Sequence, residues 1–221
     1  KEISMKKVIV LFVFIFLSIA TMSQIKYGFR AGITLSKYGY IQLYDDPEKT
    51  YSFKPGVHIG AILEIPFKSS EWSYTTGLNL ADKGTKYYGY FEYNIFTYKA
   101  TESNYRLEVP LLFTYKISLN KNISLKPQIG VFAAYTIFGK AEGKRVYNGS
   151  YYQSPTEISY NYLPSDYIIG VGANAGISFI FKNLSFTYSC DLGFPETLKC
   201  EQYTYFGENI FTMFFSLEYN F

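Results

Sequence analysis

The chain has 221 residues, and its 24 Tyr, 20 Phe and 1 Trp make aromatic residues 20% of the whole, against 18% charged. Many aromatics and few charges exclude a disordered chain, and a net charge of +3 is too weak for a dedicated nucleic-acid binder. Two Cys and a single His leave no material for a disulfide scaffold, a four-thiolate zinc site or a histidine-rich metal centre, so no metal or cofactor is expected.

The first segment reads as an address. Lys6 and Lys7 follow Met5, Val8 to Ala20 is apolar apart from Ser18, and Thr21 to Gln24 is mostly small or polar. A basic start, a short apolar core and small residues before a cut describe a secretory signal peptide. It is placed at residues 1–23, with Met5 the expected start and residues 1–4 an upstream extension. The apolar run is shorter than the ~20 residues a spanning helix needs. No Cys follows the cut, so a lipid anchor is not expected. Residues 24–221 are then one domain, close to neutral once Lys1, Glu2, Lys6 and Lys7 are gone.

The remainder alternates with period two, the signature of half-buried strands. Strands are predicted over residues 26–36, 53–65, 72–82, 105–117, 123–138, 166–181, 184–192 and 209–221. The fourth is the cleanest, with Tyr105, Leu107, Val109, Leu111, Phe113, Tyr115 and Ile117 on one face and Arg106, Glu108, Thr114 and Lys116 on the other. The connections alternate: residues 37–52, 83–104, 139–165 and 193–208 are long, and 66–71, 118–122 and 182–183 are short. An even number of tilted strands with long loops at one end and tight turns at the other describes an all-β fold. It is an eight-stranded antiparallel transmembrane β-barrel, an up-and-down meander with both chain ends in the periplasm.

Period two alone fits a soluble barrel as well, with the apolar face inward. Three features point to the membrane. The apolar faces are tall on all the strands. Aromatics recur near strand ends (Tyr27, Trp72, Tyr105, Tyr135, Tyr167, Tyr219), as interfacial girdles require. The last strand, with Phe215, Tyr219 and Phe221, resembles the insertion signal of outer-membrane proteins, which implies the barrel-insertion machinery as a partner. The chain is therefore expected in the outer membrane, among its lipid and lipopolysaccharide.

The polar faces then fill the lumen, with Arg30, Arg106, Lys116 and Lys126 against Glu64, Glu108, Asp191 and Glu218. Eight strands leave an interior just wide enough for side chains, and buried charges need partners. An ion-pair network plugging the lumen is the expectation, and a narrow path through it is the alternative. Pro110 cannot donate to the ladder and no edge strand excuses it, so a bulge is expected there; Pro55 and Pro127 raise the same question nearer strand ends.

KYGFRAGITLS (26–36), FKPGVHIGAILEIPF (53–67), TGLNLADKGTK (76–86) and YRLEVPLLFTYKI (105–117) carry a family resemblance. The chain resembles the PorT-like small outer-membrane β-barrel proteins, often labelled "porin family" or "outer membrane protein beta-barrel domain". Gly28, Gly32 and Ser36 match the spaced first-strand pattern; Lys83 and Gly84 match the K-G near the end of the third strand. Tyr105, Leu107, Glu108, Val109, Pro110, Leu111 and Leu112 match a fourth strand reading Y-L-E-I-P-L-L. Asp82 stands where Gln is more usual, and Arg106 is inserted after the Tyr. The resemblance implies a barrel rather than an activity, and its namesake is linked to protein secretion across the outer membrane.

Candidate chemistry is sparse. His58 and Glu64 share the lumen face, but there is no nucleophile elbow and no second His. His58 is expected to be a hydrogen-bonded lumen residue, with no catalytic residues in the chain. Cys190 and Cys200 lie ten residues apart at the start of the fourth long loop; an exported chain permits a bridge between them, and two free thiols are the alternative. The long loops are rich in Tyr, among them Tyr87, Tyr88, Tyr90, Tyr151 and Tyr152. Tyr is enriched in recognition surfaces, so these loops read as a surface for a protein or glycan, or else as strands continuing beyond the membrane. Asn148 heads a glycosylation triplet of little weight in a bacterial chain. The reading is a non-enzymatic outer-membrane barrel with a side-chain-filled lumen and a structural or interaction role in export or surface assembly. The alternative is a narrow porin-like channel for small solutes or ions.

Overall fold

Alternation of apolar and polar side chains controls the architecture. A computed structural model describes residues 25–39, 50–67, 71–91, 96–147, 156–162, 169–194, 197–200, 203–206 and 209–221. The predicted signal segment, residues 1–23, lies outside these. The described residues form β1 (Lys26–Gly39), β2 (Thr50–Ser52), β3 (Lys54–Pro66), β4 (Trp72–Phe91), β5 (Phe96–Tyr115), β6 (Ile117–Ser118), β7 (Ile123–Tyr147), β8 (Thr156–Tyr162), β9 (Ile169–Phe181), β10 (Leu184–Gly193), β11 (Thr197–Cys200), β12 (Tyr203–Phe206) and β13 (Asn209–Asn220). Eight of them close a ring in the order β1, β3, β4, β5, β7, β9, β10, β13, every neighbour antiparallel. Closure falls between the first and last strands, from Gly28↔Asn220 to Gly39↔Asn209.

The barrel is inside out relative to a soluble one. Along β3, Val57, Ile59 and Leu63 are exposed while Lys54, His58 and Ile62 are buried. On β13 Leu217 and Tyr219 are exposed, and Thr212, Ser216 and Glu218 are buried. The apolar exterior is the face a bilayer covers, and the ring removes the edges that hydrocarbon cannot satisfy. Aromatic clusters mark the end with the short turns. Trp72 lies 4.7 Å from Phe113 and 4.6 Å from Tyr115, ring centre to ring centre. Phe221 meets Tyr27 at 5.5 Å and Tyr219 at 5.1 Å. Towards the opposite end, Tyr105 and Phe138 lie 5.8 Å apart.

Three strands run longer than the alternation predicts. β4 and β5 have 20 residues each and β7 has 25. At ~3.3 Å per residue and ~45° of tilt, 20 residues rise about 45 Å, well beyond the ~30 Å hydrocarbon layer. Most of residues 83–104 and the first part of 139–165, expected as loops, are therefore strand. Beyond the membrane the outward face of these strands turns polar while Thr85, Ala100 and Ala141 stay buried on the inward face, so the apolar-polar signal disappears while pairing continues. β2 pairs with β4 and β8 with β7, giving a wall in the order β2, β4, β5, β7, β8 that continues the barrel upward on one side.

The expected bulge at Pro110 is absent. Pro110 pairs in register with Phe132 on β7. On the β4 side the pairs run from Thr76↔Leu111 to Asn79↔Glu108, leaving Gly77 and Leu78 unpaired without a slip. A missing N–H opens a gap in the ladder but need not add a residue. Pro55 and Pro127 also stay in register, opposite Leu35 and Ile177. The register shift lies higher on the same pair, where Tyr105 faces Phe138 but Arg106 faces Thr136. Ile137 is the extra residue, and it moves the inward face of β7 from Thr136 to Gly139 and Ala141.

Candidate functional site

The barrel interior is organised around one lysine. Lys83, on β4, is 1% exposed, and its Nζ lies 2.6 Å from Glu108 Oε1 on β5 and 2.8 Å from Asp191 Oδ2 on β10. In the ring β10 stands opposite β4, so this second bridge spans the lumen. The ammonium also lies 5.0 Å from the centre of the Phe132 ring and 4.8 Å from that of Phe214, within cation–π range. β4, β5, β7, β10 and β13 thus meet at one charge. Glycine makes room for this packing: a Cβ at Gly172, which pairs with Phe132, would lie 2.5 Å from that ring.

Further pairs stack along the axis. Arg30 Nη2 lies 2.6 Å from Glu218 Oε1 on the strand beside it. Lys126 Nζ crosses from β7 to Glu64 Oε2 on β3 at 2.9 Å, and Ser73 Oγ donates to the other oxygen of Glu64 at 3.0 Å. Lys54 Nζ meets Asp82 Oδ1 at 2.5 Å. His58 is the hydrogen-bonded lumen residue expected: its Nε2 and Ser216 Oγ lie 2.9 Å apart, and its ring stands edge-on to Phe214 at 5.0 Å. The contact passes over Gly32, where a Cβ would lie 2.7 Å from His58 Cε1.

The motif residues turn out to be neighbours. β3 stops pairing with β4 at His58↔Ala81, and two backbone groups of β4 lose their ladder partners there. β1 supplies replacements. Thr34 Oγ1 donates to the Asp82 carbonyl at 2.8 Å, and the Gly84 N–H donates to Ser36 Oγ at 2.7 Å. Ser36, Lys83, Gly84 and Glu108, quoted above for the family resemblance, are therefore linked through hydrogen bonds or ion pairs.

A cavity of about 20 Å³ remains beside this node, bordered by Arg30, Asn79, Glu108, Phe132, Asn174 and Asp191. That is room for roughly one water. Arg30 Nε, Asn79 Oδ1 and Asn174 Oδ1 have no protein hydrogen-bond partner, so the space suits one.

Of the predicted network, Arg30 joins Glu218 and Lys126 joins Glu64, while Glu108 and Asp191 share Lys83. Arg106 is buried two residues from Glu108 on the same face. Lys116 follows the end of β5, half-exposed in the turn, with its N–H donating to the Glu71 carbonyl at 2.8 Å. Lys54 and Lys83 were missing from the predicted network. The signal for Lys83 was present: carrying the β4 alternation past Asn79 places Ala81, Lys83 and Thr85 inward, and all three are buried.

Cys190 is a free thiol on the lipid-facing side of β10, donating to Tyr188 Oη at 3.1 Å. It stands between Ala175 and Met213 in the ladder; the Cys200 side chain lies outside the described residues. Tyr87 and Tyr88 belong to the wall rather than to a loop, and the Tyr51 and Tyr87 rings lie 6.3 Å apart. Tyr90 is on β4, its side chain outside the described residues, as are Tyr151, Tyr152 and the Asn148 triplet. At the last strand, Phe215 packs against Tyr188 at 5.2 Å, and the Phe221 N–H donates to the Tyr27 carbonyl at 2.9 Å. Beyond the membrane, Lys140 Nζ lies 2.5 Å from Glu142 Oε1, and that hydrogen bond raises the ammonium pKa; the pair is exposed and contributes little.

The family described as "outer membrane protein beta-barrel domain" matches residues 20–197. Similar solved structures include Ail, the attachment invasion locus protein of Yersinia pestis, in complex with the heparin analogue sucrose octasulfate, at 14% identity over 90% of this chain and 100% of that one, TM-score 0.41. A major outer membrane protein from Thermus thermophilus matches at 14% identity over 90% and 100%, TM-score 0.41. Neisserial surface protein A matches at 10% identity over 90% and 98%, TM-score 0.38. No curated protein matches the sequence. With the family covering most of the chain and the apolar face turned outward, this protein belongs to the outer membrane protein beta-barrel domain family and resides in the outer membrane.

Proposed function

We propose that this barrel is a closed, non-enzymatic structural or interaction protein whose work is done at its extracellular side, in protein export or surface assembly. One observation carries the reading: Lys83 bridges the lumen to Asp191 between two aromatic rings, with a cavity of about 20 Å³ beside it. A barrel filled in this way has little room for a solute path. The PorT-like motifs supply the link to export. In this reading residues 1–23 are removed as a signal peptide, and Phe215, Tyr219 and Phe221 address the barrel-insertion machinery. The Tyr-rich extracellular region, from Tyr87, Tyr88 and Tyr90 to Tyr151 and Tyr152, receives a protein or glycan.

The test is single-channel conductance of the refolded mature protein in a planar bilayer. Silence is expected, with folding shown by heat-dependent gel mobility. A steady, repeatable conductance would overturn the closed reading in favour of a narrow porin-like channel.

A further inference from the structure

The barrel end with the tight turns carries lysines that the fold supplies with few acids. Lys26 continues the inward series of β1 after Arg30 and Gly28, both buried, and Lys116 continues that of β5 after Leu112 and Thr114, also buried. Lys121 lies two residues before Ile123, which pairs with Phe181, and Lys182 directly follows Phe181. Lys26, Lys121 and Lys182 are exposed and Lys116 is half-exposed. At ~3.3 Å per residue, Lys182 and Lys121 stand about 3 and 7 Å along the chain past the level of Phe181. Glu64, opposite Lys26 in the ladder, already has its two oxygens on Lys126 and Ser73. Glu218, further in, is taken by Arg30. Among the described residues that leaves the exposed Glu71 to answer four lysines.

The turns that carry these lysines are fastened to one another. The Lys182 N–H donates to the Asn122 carbonyl at 3.1 Å, and the Asn220 N–H donates to the Asn183 carbonyl at 2.9 Å. Asn120 Oδ1 accepts from the N–H groups of Asn122 and Ile123 at 2.9 and 2.8 Å. Lys182 has a φ of 55°, the left-handed region for which a two-residue hairpin turn favours Gly or Asn. A lysine kept where glycine would relax the backbone marks a position held for its charge. Leu119 apart, residues 119–122 and 182–183 are all Lys or Asn. That composition lacks the aromatic anchors of a protein interface, where lysine is depleted, and suits a hydrated polyanion. Lys26 and Lys116, on the lumen side of their strands, place the charge around the barrel mouth and away from lipid. We infer that this end is a docking surface for the carboxylate-bearing peptide stems of the cell-wall polymer, gripped by Lys26, Lys116, Lys121 and Lys182. The inference rests on the tight turns facing the periplasm and is independent of whether the lumen conducts.

The test uses the refolded mature chain in neutral detergent, sedimented with purified peptidoglycan sacculi that are either native or methyl-esterified at their carboxyls. The wild type should sediment with the native sacculi and stay in solution with the esterified ones. K26Q/K116Q/K121Q/K182Q should bind about tenfold more weakly, the sum of four small surface ion-pair terms. K86Q/K99Q/K140Q/K144Q, at the opposite end, should match the wild type. Should the first variant fail to refold, K121Q/K182Q carries the test, with about threefold weaker binding expected. Lys182→Gly should unfold at higher urea, its backbone strain relieved, yet bind about twofold more weakly. Equal sedimentation with esterified sacculi, unchanged binding by the turn variants, or an equal loss in the opposite-end variant overturns the inference.

Discussion

Lys83 is compensated from two sides, and its removal would leave two carboxylates buried without their cation. Lys83→Met should destabilise the barrel by about 3–5 kcal/mol, the usual cost of stripping one partner from a buried ion pair. Urea unfolding in vesicles, followed through the single Trp, measures it, since Trp72 sits in the aromatic cluster beside the turns. The triple change K83M/E108Q/D191N should recover much of that loss, because it removes the carboxylate charges together with the lysine. A triple variant as unstable as K83M would show that the rings around Lys83, not its charge, set the cost. Space is equally fixed at this scale. A side chain as large as Leu at position 172 must displace Phe132, so Gly172→Leu should cost about 1–3 kcal/mol by overpacking.

Among the elements, the contact between β1 and β4 is the most exposed to a single change. Ser36 satisfies a buried N–H that β3 no longer reaches. Ser36→Ala should cost about 1–3 kcal/mol, the penalty of an orphaned buried donor, and Ser36→Thr should keep most of the stability. The same unfolding curves distinguish the two. The wall should be separable from the barrel. Thr85 and Glu102 are paired, so replacing residues 86–101 with Asn-Gly recloses the hairpin with a favoured turn. The shortened protein should still show heat-dependent mobility; loss of folding would mean that the wall nucleates the barrel. At this scale the sequence was legible wherever the two faces of a strand differ. All the ring strands were located by their alternation; in the structure Arg30, Glu108, Lys126, Asp191 and Glu218 are buried and Glu64 pairs with Lys126. It was illegible where that contrast ends. The upper halves of β4, β5 and β7 are polar on the outside, and the extra residue at Ile137 shifts the alternation of β7. Lys83 was read as part of a motif rather than as a lumen residue because the predicted strand ended one position before it.

For the whole molecule, stability should change little with salt. The pairs Arg30–Glu218, Lys83–Glu108 and Lys83–Asp191 are buried, where mobile ions screen weakly. Unfolding midpoints between low and near-molar NaCl should agree closely, and a steep fall would mean that water and ions reach the lumen. The seam carries a consequence of another kind. Arg30 and Glu218 are separated by 188 residues, and the Phe221 amide reaches the Tyr27 carbonyl. Tyr27 and Phe221 therefore lie side by side at the end with the tight turns. A short linker from Phe221 to Gln24, with new termini cut at Lys182–Asn183, gives a circular permutant that retains every strand pairing of the ring. It should refold in detergent to the same heat-resistant species. In cells it tests a separate question: its last residue would be Lys182, and the aromatic terminus would sit inside the chain. Refolding in vitro without delivery to the outer membrane would show that the final residues serve as a label read during transport and that the seam itself closes without them at the end.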